Sequence, residues 1–597
     1  MKFKDLAKYF DQIEKNSSRL EITRILAELF KKIHKDEIDK VLYLLQGRVV
    51  PLYEKADFGI GEKMLIKAII TSLHIEKNLF IKNYKGIGDL GKTVEELKEK
   101  IRMVEEEDLT ISEVFAILKK LTTASGEGSQ ETKLILLSQL IRKIDPLSCR
   151  YLVRIPTNTL RLGFSDMTIL DGFSWMLIGD KSLRSEIERG YHVRPDLGLI
   201  GRVLKEKGTS GLKGIKPTVF TPILMMRAER LSSAEEIIEK TGSCSVEPKY
   251  DGFRLQIHFK KDKVKLYSRN LEDVTHMYPD LVEAVKKQIT AQEAIFEGEA
   301  IGFNPASGDF LPFQETVQRK RKYGIEEKAK EIPLKLFVFE LLYLEGNSLL
   351  ETPFFQRRKM LSQIIKTTGD MLSDTVFLAE DKVIDKSKNL NLLFEEAVSK
   401  GLEGIVAKKL DGIYQAGARG WNWIKYKRSY SSKLQDTIDC LVMGYDVGRG
   451  KRTDFGIGAF LAGVYNEKKD QFVTIAKIGT GLSDEEWRQL KVQSSKFKVQ
   501  KKPNQYSVDK TMECDVWMTP GIVVEIRADE ISRSPVHTAG REMKPTKTGQ
   551  AQEVDIPGYA LRFPRLERFR YDKRSEEATS LKEVAEMFKK QSSPTSR

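Results

Sequence analysis

The stretch SVEPKYDGFRLQIHFKKDKVKLYSRN, residues 245–270, decides how the middle of this chain is read. Two strand-like runs, FRLQIHF (253–259) and VKLYSR (264–269), are joined by a short KDK turn and predict a β-hairpin. In front of the hairpin stands Lys249, at a strand end and followed by Asp251 and Gly252. Alone, a lysine two residues before Asp-Gly is a weak signal. Ordinary residue frequencies give it about a one-in-five chance in a chain this long, and a surface lysine before a turn looks the same. Its chemical reading is an amine nucleophile that neighbouring cations and burial make available to attack phosphorus.

The residues downstream of Lys249 discriminate between these readings. Arg269 closes the second hairpin run, and FEGEA (296–300) places Glu299 among strand residues. LFVFELLYL (336–344) presents Phe339 in an apolar run, and EGIVAKK (403–409) opens with Glu403. WNWIKYK (421–427) carries Lys425 and Lys427 two residues apart, hence on one face of a strand. Each has an ordinary alternative: solvated strand ends for the glutamates, core for the phenylalanine, a basic edge for the lysines. Chance does not readily supply all of them in this order. Strand-like runs at 294–303, 334–344 and 403–408, with a helical stripe at 391–400, predict a mixed α+β domain over 211–428.

On the N-terminal side, residues 1–210 read as helical. Ile22, Ile25, Leu26, Leu29, Phe30 and Ile33 form one apolar stripe at helical spacing, and Ser18 with Glu21 has the pattern of a capping box. Similar stripes run through 112–123 and 132–144, separated by the loop ASGEGS (124–129). On the C-terminal side, over 429–597, short strand-like runs recur at 438–445, 457–465, 471–478, 514–518 and 521–527, with helical segments at 483–491 and 580–591. Five short strands and a helix suit a small β-barrel of the OB-fold kind. The linker RSYSSKLQ (428–435) is the expected hinge, and the tail QSSPTSR is expected to fray.

Length and composition bound the rest. A chain of 597 residues is too long for one core, so two to four domains are expected. No run of about 18 apolar residues marks a membrane span, and the charged start MKFKDLAKYFDQIEK has no signal-peptide core. A cytoplasmic location is expected, or a nuclear one in a eukaryotic host. Cys149, Cys244, Cys440 and Cys514 are scattered, which argues for reduced thiols and against a zinc module or disulfide framework. The net charge of +14 suits a polyanionic partner but also serves simple solubility.

The ordered set resembles the covalent nucleotidyltransferase superfamily. More narrowly, it resembles the archaeal and eukaryotic type of ATP-dependent DNA ligase. SSRLEITRILAELF, YLVRIPTNTLRLGFSD (151–166), LPFQETVQRKRK (311–322), VGRGKRTDFGIGAFLAGVY (447–465), KIGTGLSDEE (477–486) and RFPRLERFRYDK (562–573) all look like ligase sequence. The resemblance implies a multidomain fold: an all-α DNA-binding domain, an adenylation domain and an OB-fold domain. It implies nick sealing in replication, repair and recombination through a lysyl-AMP and a 5′-adenylated DNA. Lys249 would take AMP from ATP, Glu299 and Glu403 would hold Mg2+ (or Mn2+), and Lys425 and Lys427 would face the α-phosphate. Phe339 would stack on adenine and Glu247 would read its amino group, with Arg419 also at the nucleotide. Arg254 and Arg269 would contact the ribose and the nick phosphate. Arg562, Arg565, Arg568, Asp572 and Lys573 match the family's closing motif.

Two positions depart from the family pattern: Glu340 stands where Asp is usual, and Ala418 replaces a common Lys. The implied partner is nicked duplex DNA, with the chain acting as a monomer and away from membranes. A sliding clamp is a further candidate, but IRMVEEEDLTIS (101–112) lacks the glutamine and aromatic of a clamp-docking peptide. A capping enzyme or RNA ligase shares the lysine motif, yet the long helical region and the RFPR…RYDK ending favour DNA ligase. A catalytically dead DNA-binding scaffold is disfavoured by intact Lys249, Glu299, Glu403 and Lys425.

Overall fold

The computed structural model describes residues 1–101, 106–157, 159–160, 162–305, 310–311, 313–321, 323–399, 402–427, 437–448, 456–479, 482–545 and 552–592. The expected hinge at 428–435, part of the 101–112 segment and the last five residues of the tail lie outside these. The chain divides into two compact units, Met1–Arg428 and Ser429–Arg597.

Twelve α-helices, from Phe3–Glu14 to Leu197–Lys207, make up the first part of unit one among the described residues. The stripe that begins at Ile22 forms Arg19–Lys32; its buried Phe30 packs on Phe173, with Leu26 in the same core. Ser18 caps that helix by accepting the Glu21 N–H at 3.4 Å. Both arms of a capping box are present instead at Thr110–Glu113 and Ser483–Glu486. The two further stripes form Ile111–Thr123 and Ser129–Lys143.

The rest of unit one holds two sheets. The first contains β1 (Arg227–Arg230), β2 (Cys244–Lys249), β9 (Lys382–Ile384), β10 (Gly404–Lys409) and β11 (Arg419–Lys427), ordered β1-β11-β10-β2-β9. The second contains the hairpin β3 (Phe253–Lys260) and β4 (Lys263–Ser268), then β5 (Glu293–Gly302), β6 (Leu334–Leu344), β7 (Asn347–Ser348) and β8 (Val376–Leu378), ordered β4-β3-β5-β6-β7 with β8 beside β6. Chain passes from the first sheet to the second between Lys249 and Phe253. A side chain at Gly252 would run into the Ala300 carbonyl, so this crossing needs glycine.

Unit two is built on β12 (Ile438–Val447), β13 (Ile457–Asn466), β14 (Gln471–Ile478), β15 (Lys498–Val499), β16 (Tyr506–Ser507), β17 (Val516–Met518) and β18 (Val523–Arg527). β12 pairs along one edge with β13 and along the other with β18 and then β17, which wraps the sheet around a core including Ile438, Phe460, Ile475 and Ile526. Then follow β19 (Glu530–Ser534), β20 (Glu542–Pro545), β21 (Gln552–Ile556), β22 (Gly558–Arg562) and β23 (Arg565–Phe569). β19 pairs with β22, β20 with β21, and β23 extends the main sheet beside β18. Helices Asp484–Ser494 and Leu581–Ser592 match the two expected segments. Among the described residues no helix is long and apolar enough to cross a membrane.

Candidate active site

Strand register assembles the site. In antiparallel pairs, residues directly opposite share a face, and so do residues two apart on one strand. Gly404 of β10 lies opposite both Lys249 of β2 and Lys427 of β11, and Val406 lies opposite both Glu247 and Lys425. Lys249, Glu247, Lys425 and Lys427 therefore project from one face. Gly404 has φ +143° and its absent Cβ would meet the Tyr426 carbonyl, so only glycine lets the chain turn here. That turn delivers Glu403, whose N–H donates to the Lys249 carbonyl at 3.3 Å.

The Glu403 carboxylate forms ion pairs through Oε2 with Lys249 and with Lys427, the latter at 2.6 Å. Burial opposes its ionisation, but these two ammonium groups outweigh burial and hold its carboxyl below the usual range. Asp251 next to it is pushed up to about 6 by burial and by the like charge of Glu403. Glu299 on β5 is raised to about 7, first by burial and then by Glu403 and Asp251, against the pull of Lys249 and Arg254. Lys425 is lowered by burial and by Lys427, Lys249, Arg419 and Arg230. Three carboxyls and three ammonium groups thus share one partly buried corner.

Glu247 lies further along the same face. It is buried and pairs with Lys408 of β10 at 2.8 Å. Burial raises the Glu247 carboxyl and lowers the Lys408 ammonium, and each charge counteracts the shift of the other. The Lys408 ammonium also donates to the Phe339 carbonyl at 2.8 Å and sits 4.7 Å from the Phe339 ring centre and 4.6 Å from that of Trp423. Phe339, on β6, is half-buried. The Arg254 guanidinium lies 5.4 Å from the Phe339 centroid. It donates to the Met226 carbonyl at 2.7 Å and pairs with the fully buried Glu297, so its two terminal nitrogens are engaged while its buried Nε is not. Glu340 forms a fully buried bidentate pair with Arg357, at 2.8 and 2.9 Å, which anchors β6 behind the site.

Register and packing bring together Lys249, Glu299, Glu403, Lys425 and Lys427, with Glu247, Arg254 and Phe339 adjoining. Arg419 is exposed at the start of β11, near enough for its charge to act on Lys425. Arg269 is exposed just past β4. The closing residues belong to unit two. There Arg562 donates to the Ser532 hydroxyl at 2.8 Å, and Arg565 pairs with Asp529, Arg568 with Glu525 and Lys573 with Asp439, each at 2.6 Å. Asp572 pairs with Arg570 at 2.7 Å.

Two residues escaped the sequence reading. Lys408 is one: strand alternation from Gly404 through Val406 places it on the face that carries Glu247. Arg570 is the other: it joins Asp439, Glu525 and Asp572 at the centre of the closing motif. Among the described residues no group of three or more His, Cys, Asp or Glu is set to hold a metal. The donor chemistry nonetheless fits a hard cation that keeps waters and shares phosphate oxygens. Glu403 Oε2 is buried and faces the two lysine ammonium groups, so a cation at this oxygen would take their place.

Comparison with known proteins identifies the family. Residues 225–427 match the family model described as ATP dependent DNA ligase domain, residues 2–174 the DNA ligase N terminus, and residues 453–573 the ATP dependent DNA ligase C terminal region. The chain is 48% identical over 592 residues to a "Probable DNA ligase" of Dictyoglomus thermophilum, covering 99% of this chain and 98% of that one. It is 42% identical over 604 residues to a "DNA ligase" of Saccharolobus solfataricus, covering 99% and 98%. Among solved structures, "Pmar-Lig_PreS3" is similar in fold, with a TM-score of 0.52 at 17% identity, covering 95% of this chain and 99% of that one. The chain belongs to the ATP-dependent DNA ligases.

Proposed function

We propose that this ligase seals nicks in duplex DNA through an AMP adduct on Lys249. The observation that carries the assignment is the shared face of β2, β10 and β11, which sets the Lys249 amine among Lys425, Lys427 and Glu403. The amine attacks the α-phosphorus of ATP, the P–N bond forms and pyrophosphate leaves. The nick 5′-phosphate then displaces Lys249 from AMP, and the 3′-hydroxyl displaces AMP from the adenylated end. Each step moves negative charge at phosphorus, which Lys425 and Lys427 are placed to balance. Glu299 and Glu403 would hold a divalent cation, Mg2+ or Mn2+, that supplies further charge neutralisation at the phosphates. Phe339 offers a half-buried ring for adenine, with Glu247 and Lys408 at its edge and Arg254 toward the ribose; Arg269 and Arg419 complete the phosphate-facing set.

The division we assign is 1–210 for binding duplex DNA, 211–428 for adenylation and 429–597 for the OB-fold domain. Arg562, Arg565, Arg568 and Lys573 would act on the leaving pyrophosphate, with Asp572 ordering Arg570. The chain is taken to work as a monomer on nicked DNA. The deciding test is Lys249→Ala incubated with α-labelled ATP. Covalent label should vanish, and the wild-type adduct should be acid-labile and base-stable, as a phosphoramidate is. Label retained by the variant would sink the assignment.

A further inference from the structure

Residues 219–226 form a strap between the helical region and the two sheets of unit one. Every third residue of it is fastened at both backbone groups by side chains of the sheet region. The Phe220 N–H donates to His258 Nδ1 at 2.9 Å and its carbonyl accepts from the Tyr267 hydroxyl at 2.7 Å. The Ile223 N–H donates to Gln256 Oε1 at 2.7 Å and its carbonyl accepts from Gln256 Nε2 at 3.0 Å. The Met226 N–H donates to the Tyr414 hydroxyl oxygen at 2.8 Å and its carbonyl accepts from Arg254 Nη1 at 2.7 Å. Between them, the Leu224 N–H donates to the His192 carbonyl of the helical region at 2.9 Å, and its own carbonyl accepts from the Gly417 N–H at 2.8 Å.

The fastening side chains are linked to one another. His258 accepts at Nδ1, so its Nε2 is the donor, 3.0 Å from Gln256 Oε1. Gln256 Nε2 donates a second bond to Glu297 Oε1 at 3.0 Å, which exhausts the hydrogen-bonding capacity of the Gln256 amide. Glu297 also accepts from the Tyr414 hydroxyl at 3.0 Å and pairs with Arg254. Gln256, His258 and Glu297 are 0% exposed. A buried network this densely bonded is rigid, and a single deletion within it strands several partners.

We propose that Gln256, His258 and Tyr414 are positioning residues through which the strap sets Arg254 against Phe339, so that the nucleotide pocket and the seat of the helical region form one rigid element. The proposal rests on the reading that Arg254 contacts the ribose of ATP. None of the three side chains is placed at the reacting phosphates. Their influence passes through a contact to a non-reacting part of the substrate, so it falls on KM for ATP and not on the saturated rate of adduct formation.

The test is adduct formation by the full chain, with KM for ATP and the saturated rate measured separately. Gln256→Leu should raise KM about tenfold, the scale of a displaced contact to a charged group, with the saturated rate nearly unchanged. Tyr414→Phe removes only the hydroxyl shared by Met226 and Glu297, and should act in the same direction. It carries the test if Gln256→Leu does not fold. His258→Phe should raise KM, and His258→Asn, whose Oδ1 can take the Phe220 N–H, should restore it. Amide exchange should quicken at Phe220 and Ile223 in the His258 and Gln256 variants. Arg254→Ala should raise KM at least as much, and adding Gln256→Leu to it should raise KM no further. An unchanged KM in Arg254→Ala would overturn the assignment of Arg254 to the pocket. A raised KM there, together with Gln256 and Tyr414 variants that lose only thermal stability, or with effects that multiply in the double variant, would overturn the positioning role alone.

Discussion

Glu299 is the residue at which the proposed function and stability oppose each other most directly. Burial, with Glu403 and Asp251 adding like charge, raises its carboxyl to about 7 from an ordinary 4.5, despite Lys249 and Arg254 nearby. Below about pH 4.5 the group is protonated in both the folded and unfolded chain and contributes nothing. As pH rises, the unfolded chain releases the proton first, so the folded state loses relative stability until the cost is fully in place above about 7. That interval, at about 1.4 kcal/mol per pH unit, sets an upper limit of about 3 kcal/mol, shared in part with Asp251 and Glu403. Glu299→Gln keeps the shape and removes the charge. It should therefore raise the melting midpoint of unit one by a few degrees at pH 8 and by much less at pH 5. Nick sealing in limiting Mg2+ should fall by about 100-fold or more, because charge at phosphorus loses its counter-ion. Calorimetry at the two pH values, beside a sealing assay, reads both effects. A variant less stable than the parent at pH 8, or equally stabilised at both pH values, would refute the reasoning.

Gly404→Ala should nearly abolish adduct formation, because the added methyl collides with the Tyr426 carbonyl at a left-handed φ and must displace Glu403; the labelled-ATP assay reads it. Glu340→Ala should destabilise the protein by about 3–5 kcal/mol, the scale for stranding one partner of a buried ion pair, seen as a lower urea midpoint, since Arg357 is 0% exposed. Arg565→Ala and Lys573→Ala should depress adduct formation more than sealing of a nick supplied already adenylated; equal losses together with a lowered melting temperature would mean that the residues only brace unit two. Affinity for nicked DNA should weaken steeply with added salt, as phosphate contacts release counterions; a flat salt profile would remove the helical region from the binding surface.

The parts of the fold legible in the sequence are those with long periodic signals. The Ile22–Ile33 stripe and the Phe253–Ser268 hairpin each show their period over several residues, and both form where the pattern places them. β15 and β16 of unit two have two residues each and exist only because β17 and β14 lie beside them, so no local pattern could announce them. The strap was equally silent: its bonds run to side chains 28 to 188 residues distant in sequence, and its own residues other than Thr221 are apolar.

The site itself was legible as far as residue types go, but their compensation was not. The lysine pair of EGIVAKK carries no sign of its two fates, yet alternation along β10 turns Lys408 inward to Glu247 while Lys409 pairs outside with Asp411 at 3.5 Å. The closing motif shows the same effect on a larger scale. Read as sequence, Arg565, Arg568 and Lys573 are bare cations awaiting a polyphosphate. In the fold each faces a carboxylate: Asp529, Glu525 or Asp439. Recruiting them to a leaving pyrophosphate therefore means exchanging a carboxylate for a phosphate oxygen. Arg570 is what makes the exchange at Asp439 inexpensive, because it pairs with the same carboxylate at 3.1 Å and remains when Lys573 departs. Asp439 is then never left as a lone buried charge, which would cost far more than the loss of one of its two cationic partners.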